Sequence, residues 1–151
     1  MHNASSVMIP RSCLPIVVLV GLVVAPFPLQ AQNQTAVDSA KQAAQEWLTL
    51  LDADQYEATW EEGASFFKSK IDADGWASRL KSAHASLDSL RSRSLVAARY
   101  TQSVPNAPDG EYVIAQYRAT YGERALVETV SLKKEQDEWR VAGYVIRPDQ
   151  Q

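Results

Sequence analysis

The strongest constraint in this chain is a change of hydrophobic period near its middle. As far as Leu90 the apolar residues recur every three or four positions, and from Leu95 onward they alternate. The first spacing gathers side chains on one stripe of an α-helix, the second on one face of a β-strand, so the two halves form different elements. Between Ala36 and Leu51 the stripe is Ala36, Ala40, Ala43, Trp47, Leu48 and Leu51. Tyr56, Trp60, Ala64 and Phe67 make a second stripe. Trp76, Leu80, Ala83, Leu87 and Leu90 make a third, with Asp72 as its N-cap. Each stripe holds one Trp, which reads as a core anchor.

The alternating half divides into Leu95–Thr101, Glu111–Tyr121, Ala125–Lys134 and Glu138–Arg147, all rich in Val, Tyr, Ile and Thr. Val104–Gly110 is a turn, and Gly122-Glu123 and Gln136-Asp137 fit two-residue hairpin loops. The order predicts one α+β domain over residues 36–147: three N-terminal helices packed on a curved four-stranded antiparallel sheet, a meander. Residues 32–35 read as a flexible polar lead-in and 148–151 as a C-terminal tail.

The two loops also fix registers. They set Tyr121 opposite Arg124, Tyr117 opposite Glu128, and Glu128 opposite Val145. One face then carries Val113, Ala115, Tyr117, Ala119, Leu126, Val130, Leu132, Trp139, Val141 and Gly143. Glu128 is the one residue on that face that does not belong. A carboxylate there must be paired, protonated or in reach of water. Glu128 with Tyr117, Tyr100 and Val145 is therefore the candidate ligand-binding set. The structural alternative is a bond from Glu128 to a helix Arg or Lys, or to a tyrosine hydroxyl. Gln116, Arg118, Arg140 and Tyr144 fall on the opposite face and read as its solvated exterior.

Residues 1–31 follow a different logic. Arg11 is their only Lys or Arg, an apolar run follows from Cys13 to Val24, and Ala25–Ala31 adds prolines and a small final residue. Charged start, short apolar centre and small-residue exit make a secretory signal, expected to be cleaved after Ala31. Met8 is an alternative start for the same signal. Pro15, Pro26 and Pro28 interrupt the ~20 helical residues that a membrane span needs. Cys13 precedes the apolar run, so it does not fit a lipid attachment site, and it is the single cysteine of the chain. The remainder is thus cysteine-free and destined for the periplasm or beyond, where disulfides would persist. One of the 15 basic residues and none of the 18 acidic ones lie in the signal, which leaves −4 for the remainder. That balance argues against nucleic acid and anionic membrane surfaces as partners.

Pro108-Asp-Gly-Glu-Tyr112, Glu128-Thr-Val130 and Trp139-Arg-Val-Ala-Gly-Tyr144, with the helices around Trp47 and Trp76, resemble the bacterial family called domain of unknown function 4019. The resemblance covers Ala36 to Arg147. It implies an exported protein with no established activity, and supplies no catalytic residues. The order of helices and sheet also resembles nuclear transport factor 2-like and cystatin-like layouts.

No catalytic set stands out. His84 is the only histidine beyond the signal, on the flank of the third helix, and no cysteine or second histidine exists there to build a metal site with it. Neither a Gly-x-Ser-x-Gly elbow nor a Gly-rich phosphate loop is present, and no cofactor is implied. Two function readings follow. One is a non-catalytic envelope protein that binds a small apolar ligand or another envelope protein. The other is an isomerase- or hydratase-like enzyme with Glu128 as general base. The signal layout generates the first prediction: protein recovered from the cell envelope should begin at or near Gln32. Intact-mass measurement checks this, and a product retaining residues 1–31 or a lipid on Cys13 would refute it.

Overall fold

The structure is a computed structural model that describes residues 29–150; most of the expected signal, residues 1–28, and Gln151 lie outside the described residues. Four helical segments precede four strands: α1 Leu29–Asp52, α2 Tyr56–Glu61, α3 Ser65–Lys68 and α4 Ala73–His84, then β1 Leu90–Thr101, β2 Tyr112–Tyr121, β3 Arg124–Glu135 and β4 Glu138–Pro148. The strands form one antiparallel sheet in the order β1-β2-β3-β4, the meander expected from the loops. No described helix is long and apolar enough to cross a membrane.

The α1 stripe is as its spacing requires: Ala40, Ala44, Trp47, Leu48 and Leu51 are buried. The helix touches all four strands. It ends where Asp54 turns left-handed at φ 56°. Gln32–Thr35, expected as a loose lead-in, continue the helix; Thr35 Oγ1 donates to the Ala31 carbonyl, and Gln34 to Asp38. In α4, Asp72 caps as expected by accepting from Gly75 N at 2.8 Å.

The expected second helix is two short ones. The stripe runs unbroken from Tyr56 to Phe67, but the chain leaves the helix at Gly63, which bridges to Val141, and Ala64 N donates to Val141 O at 2.8 Å. Docking on the edge of β4 replaces the helical bonds lost at the break. A side chain at Gly63 would meet the Phe67 ring at 2.6 Å and the Trp60 carbonyl at 2.9 Å, so the approach requires glycine.

The core lies between this helical layer and one sheet face, with Trp47, Leu51, Phe67, Trp76 and Leu80 meeting Ala115, Tyr117, Val130, Leu132 and Val141. Thr59, fully buried, organises its polar atoms. Trp47 Nε1 donates to the Thr59 carbonyl and Trp76 Nε1 to its hydroxyl, both at 2.9 Å. The Phe67 and Trp76 rings meet edge to face, 4.7 Å apart.

Both hairpins turn as their residues dictate. At Gly122-Glu123 only the first residue has positive φ, 59°, as a II′ turn requires, whereas Gln136 and Asp137 both do, at 50° and 67°, as in type I′. Tyr121 pairs with Arg124 and Tyr117 with Glu128, as expected. Glu128, however, pairs with Ile146 and not with Val145. The register shifts beside Ser131: Ser131 pairs with Gly143 but Leu132 with Val141, so Ala142 is an extra residue in β4. Beyond that bulge Tyr144 turns to the helices, and Val145 turns outward, 44 % exposed. The expected tail is also held: Asp149 N donates to Ala125 O, and Arg118 Nε donates to its carboxylate at 2.7 Å.

Trp139, expected in the core, is only half-buried, whereas Trp76 is 7 % exposed. Trp76→Ala should therefore cost about 3–5 kcal/mol and Trp139→Ala clearly less. Denaturant unfolding with and without reductant checks both this ranking and the expected indifference to reductant.

Candidate functional site

Glu128 is fully buried on the helix-facing side of β3. An ionised carboxylate in that position needs every oxygen engaged, and it is. Arg93, from the first half of β1, donates from Nε to Oε2 at 2.5 Å and from an end nitrogen to Oε1 at 3.1 Å. Tyr121 of β2 and Tyr144 of β4 each donate a hydroxyl to Oε1 at 2.8 Å. The same guanidinium reaches out of the core to Asp52 at the end of α1, with bonds of 2.6 and 2.9 Å. One cation therefore sits between two carboxylates and ties α1 to all four strands.

The electrostatics follow from this geometry. Burial alone would raise the Glu128 pKa, but the Arg93 bonds and charge, with the Tyr144 and Tyr121 hydroxyls, outweigh it and hold the carboxyl below its ordinary range. Burial likewise opposes the charge on Arg93, and its bonds to Asp52 and Glu128 reverse that, so its pKa is raised. Tyr144 and Tyr121 are pushed up by burial and then by the Glu128 charge, which keeps both as hydroxyl donors.

Of the residues singled out in the sequence, Glu128 and Tyr117 are brought together as cross-strand neighbours. The Tyr117 hydroxyl is buried without a hydrogen-bond partner. Tyr100 is elsewhere, opposite Val113, with its hydroxyl on Glu111 at 3.2 Å. Val145 lies on the outer face, displaced by the β4 bulge. The partner of Glu128 is a strand arginine, not a helix Arg or Lys. Strand β1 begins at Leu90, five residues before the expected Leu95, and Leu90-Arg-Ser-Arg-Ser-Leu95, which itself alternates, brings Arg93 into the sheet. Tyr144, expected on the outer face, faces the helices because of the bulge, whose signal in the sequence is Gly143 within a strand.

His84 is not a solvated flank residue. Its ring stacks over Tyr144 at 6.2 Å and meets Tyr121 edge-on at 6.0 Å, and Nε2 is buried without a hydrogen-bond partner. Burial lowers its pKa; Glu128, Asp52 and Asp54 pull it up and Arg93 pushes it down, and the net shift is downward. Beside it lies a groove of ≈ 1020 Å³ between the end of α1, α2, the end of α4, and the start of β1. Asp52, Tyr56, Lys81, His84, Asp88 and Tyr121 are among its walls, and Glu128 is not. Tyr121 thus belongs both to the groove and to the Glu128 network, and His84 packs between them. Among the described residues no group of three or more His, Cys, Asp or Glu is placed to hold a metal ion.

The family model described as "Protein of unknown function (DUF4019)" matches residues 43–144, more than half of the chain, and the chain belongs to that family. Comparison with curated proteins finds no match. The matched span runs from the middle of α1 to Tyr144, and so contains Arg93, Tyr121, Glu128 and the groove.

A depressed carboxylate pKa makes stability depend on pH with a definite sign. The contribution of Glu128 is present above its unfolded pKa, ordinarily about 4.3. It is lost as pH falls through the lower folded value. Glu128→Gln should destabilise by about 3 kcal/mol near neutral pH, through a weakened bond to a buried guanidinium. The difference from the parent should shrink below about pH 4. Unfolding free energies from pH 3 to 8 check this; a mutant as stable as the parent at pH 7 would contradict it.

Proposed function

We propose that this member of an uncharacterised family is an exported, non-catalytic binding domain of the cell envelope, with the groove beside His84 as its binding site. One observation carries the reading. Among the described residues Glu128 is the one fully buried carboxylate, and both its oxygens are engaged by Arg93, Tyr121 and Tyr144, while the large concavity at the same end does not include it. A general base needs a free oxygen within reach of substrate. Glu128 has neither, and this weighs against the isomerase- or hydratase-like alternative. The groove, by contrast, has the volume of a small-molecule site, and Leu51, Leu87, Leu90 and Tyr56 give it apolar walls beside its polar groups. The signal-like layout of residues 1–31 supports a periplasmic or secreted location.

Ser78, exposed on α4 and part of the groove wall, is the position at which to fill it. We expect n-hexanol, hexanoate or hexyltrimethylammonium, tested singly, to shift the backbone amide signals of Asp54, Glu57, Lys81 and Asp88 saturably. Ser78→Trp should abolish those shifts while changing stability by no more than about 1 kcal/mol. Shifts that persist in Ser78→Trp, or an absence of shifts with all three probes, would overturn the assignment of the site.

A further inference from the structure

We infer that the groove takes an organic cation, an ammonium-type head carried on an apolar body. The inference rests on the groove being the binding site and names the class of ligand for it. Charge is the first ground. Asp52, Asp54, Glu57 and Asp88 line the groove against a single Lys81. Arg93 does not offset them, because its guanidinium is already shared between Asp52 and the buried Glu128. Glu57, Asp88 and Lys81 make no ion pair with any described residue. Asp54 accepts only the Tyr56 hydroxyl, at 2.6 Å. The cavity therefore carries uncompensated negative charge, which repels carboxylates and phosphates and attracts cations.

The second ground is aromatic. Tyr56 and His84, both half-buried, set adjacent rings on the wall with centroids 6.5 Å apart, and the buried Tyr121 ring meets His84 edge-on at 6.0 Å. Burial lowers the pKa of His84, so the middle ring is a neutral surface and not a competing positive charge. Ring faces attract large, weakly hydrated cations, which lose little on leaving water. The third ground separates an organic cation from a metal ion. A compact divalent ion demands several oxygens converging on one point. No such group of three exists among the described residues, and a groove of ≈ 1020 Å³ is far larger than an ion. Dispersed carboxylates around an aromatic wall suit a charge attached to a body that fills the rest.

The test compares the hexyl probes that differ only in head group. Hexyltrimethylammonium should bind at the groove at least about tenfold more tightly than hexanoate, a difference of about 1.4 kcal/mol. Raising the salt from about 0.01 to about 1 M, which shortens screening from about 30 to about 3 Å, should erase most of that preference. Glu57→Gln combined with Asp88→Asn, both at exposed positions, should weaken the cation about three- to tenfold and leave n-hexanol unchanged. Hexanol or hexanoate binding in the groove as tightly as the cation would overturn the inference and leave the site standing. If none of the three probes shifts the groove amides, the site itself falls, and the inference with it.

Discussion

The fold depends on one buried charge being answered. Glu128 sits where the alternation of β3 demands an apolar residue, and an unpaired carboxylate there would cost several kcal/mol or force protonation. Its partners come from every other strand or, through Arg93, from α1. Satisfying it therefore requires correct parity in β1, β2 and β4 at once. In β1 the residue paired with Ala119 must be Arg93, and in β4 an extra residue must turn Tyr144 inward. The Ala142 bulge is thus part of the answer to a charge on the neighbouring strand. A register slip by one residue in either edge strand would leave the carboxylate short of donors, which makes the polar network a check on strand pairing.

Much of this was legible from residue spacing, and what was not has definite causes. The α1 stripe, the Asp72 cap, both hairpin turns and the β2–β3 register rest on local chemistry, and local chemistry is what a sequence displays directly. The split of the second helix is invisible to periodicity, because Tyr56, Trp60, Ala64 and Phe67 keep helical spacing across the break. What breaks it is a tertiary bond, from Ala64 N to Val141 O. The bulge at Ala142 likewise leaves the hairpin loop unchanged and acts only beyond itself, where it reverses the facing of Tyr144 and Val145.

The candidate site was half legible for the same reason. Glu128 announces itself as a charge on an apolar face, and Tyr117 follows from the correct β2–β3 register. Val145 was lost to the bulge, and Tyr100 lies toward the opposite end of the sheet. Arg93 is signalled only by the alternation of Leu90–Leu95, and its meeting with Asp52 is not signalled at all, since it depends on how the C-terminal end of α1 lies across β1. The position of His84 on the helical wheel says only that it is at the flank. What covers that flank is Tyr121 and Tyr144, two residues from distant strands.

The network and the groove occupy the same end of the sandwich, and the first accounts for the character of the second. Arg93 is the one arginine that points into the helix–sheet interface beside Glu128, and both its faces are taken. Asp52 is held by it at the lip of the groove. The carboxylates beyond, Asp54, Glu57 and Asp88, have no such partner among the described residues and stay in water. A charge arrangement that closes on itself inside therefore leaves an unbalanced one outside. The aromatic residues link the two: the Tyr121 hydroxyl donates to Glu128 while its buried ring backs His84, which with Tyr56 lines the groove. The Glu128 carboxylate is fixed in position by a guanidinium that makes four bonds to carboxylate oxygens, two to Glu128 and two to Asp52. Under the proposed reading, a wall held in place this way is pre-organised for its ligand, which lowers the ordering cost of binding.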